Sequence, residues 1–122
     1  MGNVLDQAKE RLLEDENIVS YLQCSLETFI YRSVMRPGVI VLTNKRLFFC
    51  GPDIAGNTLF EEFSFDNIST IKVKEGLFGT KISILHGTEW IKIKHIQRAD
   101  PSMFVRKVEE IIVAGRKNHN YT

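Results

Sequence analysis

The chain has 122 residues, 43% of them hydrophobic and 25% charged, and its formal net charge at pH 7 is +1. This length fits one domain that can bury a core without disulfides or bound metal. The near-zero charge excludes a general attraction to nucleic acid or anionic membrane, so any such partner must meet a local patch. The N-terminus lacks the pattern of a signal peptide, and no apolar run approaches the roughly 20 residues that span a bilayer, so we expect a cytoplasmic protein.

The N-terminal segment has apolar residues at helical spacing. They lie between polar residues and are Val4, Leu5, Ala8 and Leu12. This pattern predicts a short amphipathic helix over residues 4–13, with Asn3 as the N-cap. The apolar stripe is narrow, which favours docking on a neighbouring sheet; the alternatives are binding to a membrane or to a partner helix.

From Ile18 onward the apolar period changes from helical to alternating, which is typical of an antiparallel β domain. The sequence predicts about seven strands. They lie near residues 18–24 with a continuation past a bulge to 34, then 39–42, 47–50, 59–63, 70–74, 81–85 and 90–95. Arg36-Pro37-Gly38 is predicted to form the turn before the second strand. In the last strands apolar and lysine residues alternate, which predicts one core face and one solvent face.

The clearest local pattern is a hairpin over residues 39–49. Two β-rich apolar runs flank the polar segment Thr43-Asn44-Lys45-Arg46, which supplies the reversal. We expect Asn44 to shape the turn. We also expect the stem of Arg46 to pack on aromatic rings while its guanidinium pairs with carboxylate or carbonyl oxygens. The functional alternative is that Lys45 and Arg46 contact a phosphate.

A second helix is predicted after the last strand. Asp100 is a suitable N-cap, and Pro101 fits the first helical position because its missing amide hydrogen would be unpaired there anyway. The apolar stripe that follows consists of Phe104, Val105, Val108, Ile111 and Ile112. Gly115 is predicted to end this helix. The expected division is therefore a helix at 1–15, the β domain at 16–115 and a polar tail at 116–122.

Four features of the chain, in this order, resemble one known family. They are the segment from Gly38 through Thr43-Asn44-Lys45-Arg46 to Phe49, the strand entry from Phe65 to Ile71, the loop Gly76-Leu77-Phe78-Gly79 and the closing helix from Phe104 to Ile112. The chain resembles bacterial pleckstrin-homology (PH) domains of the YokE-like kind and the related GRAM domains. The resemblance implies a mainly β (α+β) fold, a PH-like barrel of about seven antiparallel strands in two near-orthogonal sheets, capped by the C-terminal helix. The short N-terminal helix is an addition to it.

This resemblance implies a binding module without naming its ligand, because the bacterial members have no agreed binding residues. Eukaryotic relatives often bind phosphoinositides through a basic loop between their first two strands. The corresponding segment here, residues 23–37, has only Arg32 and Arg36 as cations. The sequence therefore does not favour headgroup binding of that type.

Catalytic and metal-binding patterns do not stand out in the sequence. The three histidines have no carboxylate at metal-ligand spacing, and Cys24 and Cys50 are expected to be reduced core thiols. The adjacent carboxylates Asp15-Glu16 and Glu61-Glu62 are typical of a solvated face. We expect no enzymatic activity, no cofactor and no metal.

Candidate binding residues lie in the late strands and in one loop between them. The polar face is predicted to gather Lys72, Lys74, Lys81, Lys92 and Lys94 with Trp90. Leu77 and Phe78 lie at a hairpin tip, where large apolar residues are seldom fully covered. The first hypothesis is protein-protein association or self-assembly through the sheet edges and this loop. The alternative is peripheral binding to anionic membrane headgroups through the lysines and Trp90, and nucleic acid ranks third because of the near-neutral charge.

Overall fold

A computed structural model describes residues 4–28, 34–52, 58–77, 79–97 and 100–120 of the chain. Helix α1 is Val4–Glu10 and helix α2 is Pro101–Asn120. The strands are β1 (Ile18–Thr28), β2 (Val34–Thr43), β3 (Leu47–Pro52), β4 (Thr58–Phe63), β5 (Ile68–Gly76), β6 (Gly79–His86) and β7 (Glu89–Gln97). A short 3-10 helix, Phe65–Asn67, leads into β5. The prediction of a mainly β fold with a helix before and a helix after the strands is confirmed.

Hydrogen bonds join the strands into one antiparallel sheet with the order β4-β3-β2-β1-β7-β6-β5. The long strand β1 connects the two halves, because it pairs with β2 along its length and with β7 from Gln23 to Glu27. The seven predicted antiparallel strands are confirmed. The predicted continuation of the first strand to residue 34 is wrong, because Val34 begins β2 and pairs with Thr28 of β1, while residues 29–33 lie outside the described residues. The pairing gives a single sheet, so the division into two near-orthogonal sheets stays a prediction.

The β2–β3 hairpin is buried on both of its faces. One face joins the main core, where Ile40, Leu42 and Phe49 pack with residues of β5–β7 and with the apolar stripe of α2. The other face forms a second cluster, in which Val41 and Phe48 pack against Ala8 of α1. This double burial explains why both hairpin strands are continuous apolar runs, since each side of each strand packs into one of the two apolar clusters. The predicted docking of the N-terminal helix on the sheet is confirmed.

The predicted turn at Arg36-Pro37-Gly38 is wrong, because these residues lie within β2. Pro37 pairs with Ser25 of β1, and Gly38 pairs with Cys24. The glycine is needed for a different reason than a reversal. A Cβ atom on Gly38 would lie 2.4 Å from the Cys50 carbonyl oxygen, so β2 and β3 approach too closely here for any side chain.

Both helices end at places that differ from the prediction. Helix α1 stops at Glu10 rather than Leu13, because the chain then turns back toward the β2–β3 hairpin. Helix α2 starts at Pro101 as predicted, and the Met103 amide donates to Asp100 Oδ1 at 3.0 Å. It continues through Gly115 to Asn120, since Gly115 keeps a negative φ there and a Cβ at that position would meet open space. Neither of the two described helices is long and apolar enough to cross a membrane.

Candidate binding surface

Arg46 holds the β2–β3 turn to the linker between α1 and β1. All three of its guanidinium nitrogens donate hydrogen bonds: Nε to Glu16 Oε2 at 2.9 Å, Nη1 to Glu62 Oε1 at 2.8 Å and Nη2 to the Arg11 carbonyl oxygen at 2.8 Å. The guanidinium carbon also lies 5.1 Å from the ring centroids of Phe48 and Phe60. We call these residues, with Thr43, the Arg46 cluster. The predicted structural role of Arg46 is confirmed.

Glu16 is the buried centre of this cluster, with 5% of its surface exposed. Its carboxylate accepts hydrogen bonds from the Thr43 hydroxyl at 2.6 Å and from the Leu13 amide at 2.8 Å, besides those from Arg46. Burial by itself would raise the pKa of Glu16, but the hydrogen bonds and the Arg46 charge outweigh it and hold the pKa below its ordinary value. The prediction that Asp15-Glu16 is a solvated pair is therefore wrong at Glu16, because this carboxylate neutralises a guanidinium in the interior.

The remaining residues of the turn also bind the linker. Asn44 accepts a hydrogen bond from the Asn17 amide at 2.7 Å, and its side-chain nitrogen donates to the Asp15 carbonyl at 3.0 Å. The Lys45 ammonium donates to the Glu14 carbonyl at 2.9 Å and is exposed. Phosphate contact by Lys45 and Arg46 stays a prediction. All three nitrogens of the Arg46 guanidinium already donate to oxygens of the protein, so a phosphate oxygen would be an additional acceptor for one of them.

The late strands place the predicted lysines on one side of the sheet. Ile71, Ile84 and Ile91 lie opposite one another on the core side, as do Val73, Ile82 and Ile93. Because successive side chains of a strand point to opposite faces, the alternate residues lie on the outer side. They are Lys72 and Lys74 of β5, Lys81 of β6, and Trp90, Lys92 and Lys94 of β7. We call this surface the lysine face, and a binding role for its residues stays a prediction.

Glu27 of β1 is the acidic neighbour of the lysine face. It lies opposite Lys92 across the β1–β7 pair and its Oε2 lies 3.3 Å from Lys94 Nζ. Only 8% of Glu27 is exposed, so this ion pair is largely shielded on the carboxylate side. Lys94 is therefore partly neutralised. No described acid forms an ion pair with Lys72, Lys74 or Lys81.

One recess of about 390 Å³ opens between the β5–β6 hairpin and the end of β7. It is lined by Lys74, Lys81, Lys94, His95, Leu77 and Thr80, with Gly76 and Gly79. We call it the lysine recess. It brings together three of the predicted binding residues, Lys74, Leu77 and Lys94, with Lys81. Trp90, Lys72 and Lys92 lie further along the same face and do not line it.

The tip of the β5–β6 hairpin projects an apolar side chain into solvent. Leu77 is 99% exposed, and Gly79 has a φ of 109°, a backbone conformation that favours glycine. The tight turn thus leaves Leu77 with no core to pack against. Phe78, the other residue predicted for this tip, lies outside the described residues.

Comparison with known proteins then identifies the domain. A family model described as "Bacterial PH domain" matches residues 12–110. The chain belongs to this family. The PH domain thus takes in all seven strands, the lysine face and the Arg46 cluster apart from Arg11, while α1 precedes the matched segment. The family is one of non-catalytic binding modules.

The PH domain is also similar in fold to solved structures. One is the crystal structure of the C-terminal domain of an unknown protein from Leishmania infantum, with a TM-score of 0.56 and 17% sequence identity. The match covers 75% of this chain and 82% of that one. At this sequence identity the similarity supports the assignment of the fold and carries no information about function. No curated protein shows a comparable sequence match.

The two cysteines of the PH domain lie apart from each other. Cys24 is buried in the main core and Cys50 in the cluster under α1, on opposite sides of the sheet, and both are free thiols as predicted. Burial raises the pKa of the Cys24 thiol to about 12. His86 packs edge-on against Phe63 with 5.5 Å between ring centroids. Within the described ranges, no three residues of the His, Cys, Asp and Glu types cluster as metal ligands.

Two residues of the surface were missed from the sequence. Glu27 gave no signal, because only the β1–β7 register brings it to Lys94. His95 was expected to be an ordinary strand end, yet it has a φ of 53° and lines the lysine recess. The pairing shifts here, since Ser25 pairs with Lys94 but Gln23 pairs with Gln97. An extra residue of this kind marks a β-bulge, which sequence alternation alone does not reveal.

Proposed function

We propose that this PH domain is a peripheral membrane-binding module that attaches to anionic lipid surfaces through the lysine face and Leu77. The observation that carries the proposal is the placement of five lysines on one side of β5–β7, next to a fully exposed leucine at the hairpin tip. A closer relation to the YokE-like and GRAM groups, suggested by the Thr43–Arg46 turn, is part of the same proposal. So is a peripheral location in the cytoplasm.

The charge on this surface is of the right size for weak, reversible attachment. Each lysine or arginine near an anionic membrane surface contributes about 1 kcal/mol, and the effect falls off within a Debye length. Glu27 neutralises part of Lys94, while Lys72, Lys74 and Lys81 form no ion pair with a described acid and can act on the lipid. The strands β5–β7 present these lysines together, so their contributions add without ordering a loop.

The apolar residues supply the second part of the attachment. Leu77 stands at the tip beyond the lysines, where it can enter the headgroup region while the lysines remain among the phosphates. Trp90 is 40% exposed on the same face, and tryptophan is favoured at membrane interfaces. The combination of an apolar hairpin tip with surrounding lysines supports binding to a lipid surface.

Flotation with liposomes tests this proposal. The protein is mixed with neutral or anionic vesicles at low and physiological salt, and the variant Lys72→Glu/Lys74→Glu is compared with the native chain. These two lysines are exposed and have no described ion-pair partner, whereas Lys94→Glu would place a carboxylate against Glu27. We expect flotation with anionic vesicles only, decreasing as salt rises, and its loss in the variant.

The matched control is Lys9→Glu/Arg106→Glu, which changes the net charge by the same amount. Lys9 is exposed on α1 and Arg106 on α2, a helix that packs on the core side of the sheet. This control should float like the native protein. Equal loss in both variants would show that only net charge matters, and no flotation with anionic vesicles would refute the proposal.

Protein association through the sheet edges is the second candidate. In the described sheet β4 and β5 are the edges, and β5 borders a groove of about 300 Å³ against α2. The groove is lined by residues Ile68 to Lys72 of β5 and by Glu109, Ile112 and Val113 of α2. An open edge beside a groove can accept a further strand. Light scattering across a concentration series tests for self-association, with Val113→Glu expected to reduce it and to leave flotation unchanged.

A further inference from the structure

The lysine recess contains more positive charge than its surroundings neutralise. Lys74 and Lys81 lie directly opposite each other in the β5–β6 pair, an arrangement of like charges that destabilises a sheet. Ile82 pairs with Ile93, and Lys81 and Lys94 are the next residues along each strand, so a third ammonium lines the same recess. Glu27 forms an ion pair with Lys94. Three lysines less one carboxylate leave an excess of two charges.

A β-bulge places His95 at the wall of this recess. His95 adopts a left-handed φ of 53°, and its Nδ1 lies 3.4 Å from the Ser25 hydroxyl. Non-glycine residues in this conformation are uncommon, although histidine is among the types enriched there. Bulges redirect side chains and are frequent beside functional sites. The imidazole therefore adds a further polar group beside the three ammonium groups.

We propose that the lysine recess binds a phosphate monoester. A monoester carries a charge of about −1.5 to −2 at neutral pH and has three acceptor oxygens. The charge matches the excess of two, and the three oxygens match the three ammonium donors of Lys74, Lys81 and Lys94. A phosphodiester or a carboxylate has a single negative charge and would leave part of the recess unpaired. If the monoester is a lipid headgroup, this inference rests on the proposed membrane attachment. If the monoester is a soluble ligand, it does not.

The position of the recess separates it from the loop that eukaryotic relatives use. Glu27, near the end of β1, lies opposite Lys92 of β7, so the end of β1 lies toward the start of β7. The recess lies at the opposite end, beside the β5–β6 hairpin tip and the last residues of β7. Leu77 forms part of its rim. A monoester headgroup in the recess would therefore be bound next to the residue proposed to enter the lipid.

The experiment compares two anionic lipids that differ in phosphate chemistry. Binding is measured with phosphatidylcholine vesicles that contain phosphatidic acid, a monoester, or phosphatidylglycerol, a diester. The two compositions are adjusted to the same zeta potential, so that general charge attraction is equal. Tighter binding to phosphatidic acid is expected for the native chain. Equal binding to both would overturn the lipid form of the proposal.

Matched variants locate this preference on the lysine face. Lys81→Gln removes a recess lysine, and Lys72→Gln removes a lysine on the same face outside the recess. We expect Lys81→Gln to lower affinity for phosphatidic acid about tenfold, because a hydrogen bond to a charged group is lost, and to reduce the preference over phosphatidylglycerol. Lys72→Gln should weaken binding to both lipids equally. Lys74→Gln repeats the test if Lys81→Gln fails to fold.

A soluble arm distinguishes the sources of the phosphate. Inorganic phosphate and glycerol 3-phosphate are titrated into the labelled protein, and amide signals of residues 79–81 and 94–95 are followed by NMR against sodium chloride of equal ionic strength. Saturable shifts that are lost in Lys81→Gln support the recess even if no vesicle binds, which would refute only the membrane proposal. Binding to phosphatidic acid without soluble binding assigns the ligand to lipid. No preference for a monoester in either arm overturns the inference.

Discussion

The Arg46 cluster and the lysine recess are both built around cations at the ends of hairpin strands, and they differ in what surrounds the charge. Arg46 has two carboxylates, a carbonyl oxygen and two aromatic rings as neighbours. Lys74 and Lys81 have each other, with no ion-pair partner among the described residues. A cation whose donors are all used within the protein stabilises the fold. A cation left facing another cation remains able to bind an anion from outside.

The largest effect should follow from removing the cation of the buried cluster. Arg46→Met keeps the apolar stem but leaves the Glu16 carboxylate buried without its counter-charge, so we expect a loss of about 3 kcal/mol in the free energy of unfolding. Urea denaturation followed by circular dichroism measures this loss. The control, Lys45→Met on the same turn, should change stability by less than about 0.5 kcal/mol because Lys45 is exposed. Equal effects would mean that the two cations are equivalent.

A smaller loss is expected from the hydroxyl that organises the same turn. The Thr43 Oγ1 donates to Glu16 and accepts the amide hydrogens of Lys45 and Arg46, each at 3.0 Å. Thr43→Val has nearly the same shape and leaves these groups unpaired, which should cost about 2 kcal/mol. Thr43→Ser retains the hydroxyl and serves as the control in the same denaturation experiment. A Val variant as stable as the Ser variant would show that the hydroxyl contributes nothing.

The pH dependence of stability tests the contribution of Glu16 in the Arg46 cluster. The pKa of Glu16 lies below its ordinary value of 4.5 in the folded chain, so its ionised form stabilises the fold above that pH. This contribution disappears as the pH falls through the folded pKa. Glu16→Gln should therefore lose less stability than the native chain as the pH falls below about 5. Parallel unfolding curves of the two proteins over that range would contradict this expectation.

The smallest effect is expected at the recess and has the opposite sign. Lys81→Thr removes one charge of the Lys74–Lys81 pair and introduces a β-branched residue, so stability should rise by about 0.3 kcal/mol. Lys72→Thr is the control, because Lys72 lies opposite Ser83 rather than another cation. Thermal unfolding at low salt compares the two. A stabilisation by Lys72→Thr as large as that by Lys81→Thr would show that the residue type, and not the charge pair, is responsible.

Local pattern predicted most of the elements of this domain. Alternation located the strands of β5–β7, and the Asp100-Pro101 pair located the start of α2 at Pro101. The errors arose where a residue was assigned a common role that the fold does not use. Gly38 allows β2 and β3 to approach closely and does not form a turn. Gly115 lies within α2 and does not end it.

The sequence by itself determined the strand pattern, the capping of α2 and the side of the sheet on which the lysines lie, because these depend on neighbours a few positions apart. Only the tertiary structure decided which charges are neutralised. Glu16 meets Arg46 across 30 positions and Glu27 meets Lys94 across 67, through strand pairings that no local pattern encodes. Coulombic and hydrogen-bond partners are chosen by the register and by burial. For that reason Arg46 became part of the fold, while Lys74 and Lys81 have no ion-pair partner among the described residues.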